Sequence, residues 1–101
     1  MQELQKLIGK EYGEIKAKEF EDFICNILEK KGKIQRQVLV KNRGDGMRGK
    51  VDLVWHTEGK IIGIEIDRKT ARKKSIFKLY QLQADERWVI LRSPFSLCKY
   101  Q

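Results

Sequence analysis

Three carboxylates stand where they can act together. In Ile61-Ile-Gly-Ile-Glu-Ile-Asp-Arg-Lys69 the isoleucines alternate with Gly63, Glu65 and Asp67. In an extended strand, alternate side chains share a face, so Ile62, Ile64 and Ile66 point one way and Glu65 and Asp67 the other. Their Cα atoms then lie roughly 7 Å apart, two strand rises. Just upstream, Val51-Asp-Leu-Val-Trp55 reads as a neighbouring strand with Val51, Leu53 and Trp55 on one face and Asp52 and Val54 on the other. If the apolar faces of both strands meet the same helices, Asp52 joins Glu65 and Asp67. Three converging acids repel one another unless a hard cation neutralises them, and oxygen donors suit Mg²⁺ or Mn²⁺.

The elements that must position these acids follow from apolar periodicity. From Ile15 to Lys31 the residues Ala17, Phe20, Phe23, Ile24, Ile27 and Leu28 recur at three- and four-residue steps, an amphipathic helix that stops at Gly32. At about 100° per residue, Glu21 falls at the edge of its apolar stripe and can face the sheet, whereas Glu19 falls on the solvated side. For an isolated glutamate, pairing with a surface lysine is the commoner outcome. Residues 1–14 contain Leu4, Leu7 and Ile8 and suggest a helical turn or two, weakened by Gly9 and Gly13.

A two-residue period takes over after Gly32. Gln35–Val40 reads as a strand, and Lys41-Asn-Arg-Gly-Asp-Gly-Met-Arg-Gly-Lys50 as a loop. Val51–Trp55 and Lys60–Asp67 form a hairpin across the turn His56-Thr-Glu-Gly59. Helical spacing returns over residues 70–83, and Trp88–Leu91 is a short apolar strand that a crossover places parallel to the third. The tail from Ser93 to Gln101 is left to pack or fray. The order is αβββαβ in a single α/β domain, with a mixed sheet flanked by helices over a core of about residues 15–92.

Composition narrows the partners. The 101 residues carry 22 Lys and Arg against 14 Asp and Glu, a formal charge of +8. That surplus attracts phosphates. It is distributed in two groups: Lys41, Arg43, Arg48 and Lys50 line the glycine loop, and Arg68, Lys69, Arg72, Lys73, Lys74 and Lys78 follow the acids without an intervening carboxylate. Both groups are candidates for binding a nucleic-acid backbone. Base-specific readout has no visible signature, so recognition by shape is expected. No apolar stretch reaches the roughly 18 residues of a membrane span, and the N-terminus lacks a secretory pattern, so an intracellular, nucleoid-associated protein without membrane partner is expected. Cys25 and Cys98 have no metal-type spacing and read as buried reduced thiols. Trp55 and Trp88 read as core, and His56 as an exposed turn residue.

Phe20-Glu-Asp-Phe-Ile-Cys-Asn-Ile-Leu-Glu-Lys-Lys-Gly32, Val51-Asp-Leu-Val54 and Gly59-Lys-Ile-Ile-Gly-Ile-Glu-Ile-Asp67 together resemble the PD-(D/E)XK nuclease superfamily, the restriction-endonuclease-like fold, and especially small archaeal and phage Holliday-junction resolvases. The resemblance covers about residues 15–92. It implies a Mg²⁺-dependent endonuclease, acting on branched or duplex DNA as a homodimer, whose metal ligands are Glu21, Asp52 and Glu65. Two positions depart from the pattern. Val51 replaces the proline before the hairpin aspartate, and Asp67 replaces the catalytic lysine two residues after the strand acid. Lys69, Lys74 or Lys78 can supply that charge instead, while Asp67 becomes an added ligand or acts on the attacking water. Two other readings remain open at this stage: a nuclease-derived nucleic-acid-binding module that has lost its chemistry, and a double-stranded-RNA-binding domain.

Overall fold

The computed structural model describes residues 2–100; Met1 and Gln101, the outermost residues of the two terminal segments, lie outside the described residues. The elements are α1 (Gln2–Gln5), α2 (Ala17–Leu28) with a 3₁₀ turn at Glu29–Lys31, β1 (Lys33–Val40), β2 (Gly49–Thr57), β3 (Lys60–Asp67), α3 (Lys73–Leu79), β4 (Glu86–Arg92) and β5 (Phe95–Tyr100). Among the described residues, five strands form one mixed sheet in the order β1-β2-β3-β4-β5. Only β3 and β4 run parallel, joined through α3. From α2 to β4 the chain runs helix, three strands, helix, strand. No described helix is long and apolar enough to cross a membrane.

Two apolar layers sandwich the sheet. On one face, Phe20, Ile24, Cys25, Ile27 and Leu28 of α2 pack with Leu53, Trp55, Ile62, Ile64, Trp88, Ile90 and Phe95, and Leu4 of α1 closes the same layer. On the other face, Leu79 of α3 packs with Val40, Val51, Val54, Val89 and Leu91. The isoleucines of β3 therefore serve the α2 layer, and Glu65 and Asp67 point toward α3, as alternation requires. Gly63 shares the α3 side, where a Cβ would stand 2.8 Å from Leu82 Cδ1, so a glycine there lets the helix approach the sheet.

The structure departs from the sequence reading at several points. The second helix covers Lys73–Leu79 rather than residues 70–83, because Asp67 captures the Arg72 amide and residues 68–72 cross over outside helical geometry. The tail forms a fifth strand, antiparallel to β4. His56 belongs to β2, not to a turn: the turn is two residues long, Glu58 and Gly59 at φ 50° and 75°, which brings Thr57 opposite Lys60. His56 is half-buried, with Nε2 2.9 Å from Gln35 Oε1. Cys25 is buried, but Cys98 is only half-buried, and both thiols are free.

The most consequential departure lies in β2. Leu53 and Trp55 face α2 and Val54 faces α3, but Val51 also faces α3, so alternation breaks at Asp52. Opposite Asp52 on β1 stands Gln37, a non-glycine residue at φ 55°. The ladder pairs Arg36 with Leu53 and Val38 with Val51 and skips Gln37 and Asp52 between them. A left-handed residue in an edge strand costs energy and redirects neighbouring side chains. Here it rotates β2 at the residue that carries a carboxylate.

Candidate acid and nucleic-acid site

The sheet opens where Asp52 and Glu65 sit. The regular β2–β3 ladder ends at Leu53 opposite Ile64. Beyond it, two carboxylates replace backbone acceptors: the Asp52 amide donates to Glu65 Oε2 at 2.7 Å, and the Ile66 amide donates to Asp52 Oδ2 at 2.8 Å. The acids therefore lock each other across a local gap between strands. Backbone groups freed by the divergence are satisfied, which buried amides require.

Each carboxylate keeps capacity for further contact. Glu65 is 1% exposed, and its Oε1 has no hydrogen-bond partner among the described residues. Lys78 Nζ reaches that oxygen at 2.7 Å, an ion pair outside hydrogen-bond alignment, and also donates to the Lys50 carbonyl at 3.0 Å. Burial raises the pKa of Glu65 to about 7; the Asp52 charge adds to the rise and Lys78 opposes it. Asp52 is raised too, chiefly by burial, against the lowering effects of the Ile66 amide and Lys78.

Glu21 projects from α2 toward Asp52, while Glu65 is met from the α3 side by Lys78. The Glu21 carboxyl is raised by burial and then by the Asp52 charge, while Arg36 lowers it from 3.5 Å. Arg36 also holds Asp22 Oδ1 at 2.6 Å. A hollow of about 440 Å³ opens between α2 and the β1–β2 edge, lined by Ala17, Lys18, Glu21, Arg36, Gln37, Asp52 and Ile66. Two cations and two carboxylates thus border one concavity.

Asp67 occupies a different role from the one its spacing suggests. Its Oδ2 accepts the Arg72 amide at 2.9 Å, and its Oδ1 accepts Arg72 Nε at 2.8 Å and Ser75 Oγ at 3.0 Å. With both oxygens engaged and the side chain fully buried, Asp67 fastens the start of α3 to β3. Neither metal ligation nor action on water fits those contacts. Lys69 is not brought to the acids either. β3 ends at Asp67, and Lys69 is exposed beyond it, lining a separate hollow with Arg68, Glu11 and Ser93.

The remaining basic candidates divide. Arg48, Lys50, Arg68, Lys73 and Lys74 are exposed. Arg43 is paired with Asp45 at 2.9 Å, Arg72 with Asp67, and Lys78 turns inward with its side chain 11% exposed. Sequence reasoning missed Lys18, Arg36, Gln37 and Ser75. Arg36 stands opposite Leu53, which belongs to the α2 layer, and so reaches the acids Glu21 and Asp22 of that helix.

Among the described residues, no group of three or more acidic, histidine or cysteine side chains is gathered closely enough to hold a metal by itself. Asp52 and Glu65 nevertheless suit the mode usual for Mg²⁺, in which one or two carboxylates hold an ion that keeps several waters and takes further oxygens from a phosphate. The buried Glu65 Oε1, which meets the Lys78 ammonium but accepts no hydrogen bond among the described residues, is the specific observation that fits, and the donor set is all oxygen. No protein-family model matches the chain, and no curated protein is significantly similar to it.

Proposed function

We propose that this chain is a metal-dependent endonuclease of PD-(D/E)XK type that hydrolyses phosphodiester bonds in DNA. Asp52 and Glu65 hold Mg²⁺ or Mn²⁺, and Glu21 supports them from α2. The observation that carries the reading is the pair of interlocked carboxylates at the β2–β3 opening, with a buried Glu65 oxygen met only by the Lys78 ammonium. A divalent cation bound there supplies Lewis acidity toward phosphoryl oxygens and lowers the pKa of water.

The chain's own residues do the rest. Lys78 brings to Glu65, from α3, the positive charge that the motif lysine brings from β3, and Asp67 stands where that lysine would be. Its ammonium, held at Glu65 and at the Lys50 carbonyl, is placed to offset charge developing on a phosphate. Arg36 and Lys18 at the adjoining hollow orient the phosphate. Cleaving both strands of a branched or duplex substrate requires two such sites, hence a homodimer. Branched DNA is the preferred substrate class, because exposed lysines recognise backbone shape and no base-reading element is evident.

Incubation with four-way-junction and plain duplex DNA in Mg²⁺ or Mn²⁺ tests this. Cleavage that is lost in Asp52→Asn, Glu65→Gln and Lys78→Met, but kept in Lys69→Ala, is expected. Absence of cleavage, or cleavage indifferent to Asp52→Asn, overturns it. One observation favours a second reading, a binding module without chemistry: Lys78 and Arg72 already compensate Glu65 and Asp67 without a metal. That module binds DNA with steep salt dependence and no divalent requirement.

A further inference from the structure

Helix α3 carries an aromatic side chain that belongs to neither apolar layer. Phe77 is 46% exposed and lines a hollow of about 370 Å³ whose other walls are Arg43, Gly44, Asp45, Lys73 and Lys74. It follows Lys74 by three residues, one helical turn, and so shares a face with it. A Cβ on Gly49 would stand 2.7 Å from Arg43 Cβ and 3.0 Å from Lys78 Cδ, so Arg43 in the wall of the hollow and Lys78, which reaches Glu65, flank the same backbone residue.

The facing wall is built rather than loose. Asn42 Oδ1 accepts the amides of Gly44 and Gly46 at 2.8 and 3.0 Å, and the Arg43 amide donates to the Met47 carbonyl at 2.8 Å. Gln81 of the segment after α3 accepts the Asn42 amide at 2.9 Å and donates to the Asn42 carbonyl, which ties the loop to the helix. Gly44 and Gly46, at φ 112° and 84°, supply the left-handed backbone this path needs. The one acid in the wall is compensated, since Asp45 is paired with Arg43 and its pKa is lowered chiefly by that bond. Lys73 and Lys74 then leave the hollow positively charged beside an exposed ring.

An aromatic face with neighbouring cations matches one chemistry well: an unstacked base lying on the ring with its phosphates against the ammonium groups. A base in continuous duplex is not available for such stacking. We infer that this hollow is a subsite for an unpaired nucleotide of a DNA strand, stacked on Phe77 and held through its phosphates by Lys73 and Lys74. The inference rests on the nucleic-acid reading above and deepens it, giving the protein a reason to prefer branch points and strand ends over uninterrupted duplex.

The test compares a short fluorescent oligothymidylate with an abasic oligomer of the same length, without divalent metal, by anisotropy. The abasic strand keeps every phosphate and lacks the bases. The native protein binds thymidylate roughly tenfold more tightly, the scale of one base–aromatic stack. Phe77→Ala abolishes that preference, Phe77→Trp preserves it, and Lys73→Ala with Lys74→Ala weakens both oligomers alike. Equal affinity of the native protein for the two oligomers overturns the subsite, as does a preference untouched by Phe77→Ala; binding of an acidic peptide in place of either oligomer also overturns it. Because no cleavage is read, failure of the metal chemistry leaves this result unaffected. Phe77 is exposed, so truncation leaves the fold intact, and circular dichroism checks it.

Discussion

Removing the Lys78 ammonium should convert a tolerated buried acid into a destabilising one. Lys78 Nζ lies 2.7 Å from Glu65 Oε1, the side chains being 11% and 1% exposed. At an effective dielectric of about 20, two unit charges at that separation attract by about 6 kcal/mol. Part of that is offset by desolvation, and breaking a buried pair by deleting one partner costs about 3–5 kcal/mol. Lys78→Met keeps the aliphatic length and deletes the charge. Against the roughly 5–15 kcal/mol of a small domain, the loss is large.

The pH dependence identifies the cause. Glu65 rises from an ordinary value of 4.5 to about 7 in the folded protein. The native state therefore binds the extra proton between those values, and the stabilisation tied to it is whole below 4.5 and lost as pH rises through 7. Deleting Lys78 raises the folded value further. At about pH 5 Glu65 is protonated in both native proteins and the gap between them nearly closes; at about pH 8.5 it opens to about 2 kcal/mol, short of the cost of an unpaired charge because the variant keeps Glu65 protonated. Urea unfolding followed by the fluorescence of Trp55 and Trp88, 2% and 4% exposed, measures both conditions. Lys78→Met with Glu65→Gln, whose amide oxygen still accepts the Asp52 amide, recovers most of the loss. A Lys78→Met penalty under about 1 kcal/mol at pH 8.5, one of equal size at pH 5, or no recovery in the double variant refutes the reasoning.

Two further outcomes follow from the same contacts. Asp67→Ala removes the acceptor for the Arg72 amide, Arg72 Nε and the buried Ser75 hydroxyl, and costs about 1–3 kcal/mol in urea unfolding; Asp67→Lys, which restores the motif lysine, destabilises more and adds no cleavage. Burial raises the Cys25 thiol to about 11, so a disulfide reagent at neutral pH modifies half-buried Cys98 first and Cys25 only with unfolding; equal rates contradict its placement.

The parts of the fold carried by periodicity were legible. Alternating isoleucines delimit β3 as Lys60–Asp67 without error, because a strand buried on one face by α2 cannot shift register without exposing them. The helical stripe separates Glu21, which turns toward the sheet, from exposed Glu19. What local pattern does not encode is how elements meet. The face change at Val51 depends on Gln37 across the ladder, an unpaired residue whose left-handed backbone no propensity suggests. The reach of Lys78 depends on how closely α3 lies on Gly63, and the duty of Asp67 on where the helix begins. Alternation holds through Asp67, the last residue of β3, whose oxygens are engaged by Arg72 and Ser75; at Lys69 alternation was continued past the end of the strand.

The account stands on Asp52 and Glu65 sharing a divalent cation. Titrating Mn²⁺ into the native protein while the resonance of the free ion is read by electron paramagnetic resonance tests that directly. The native protein should deplete free Mn²⁺ in a saturable way, and Asp52→Asn and Glu65→Gln should each leave it undiminished. A native protein that takes up no Mn²⁺, or an Asp52→Asn variant that takes up as much, contradicts the metal site.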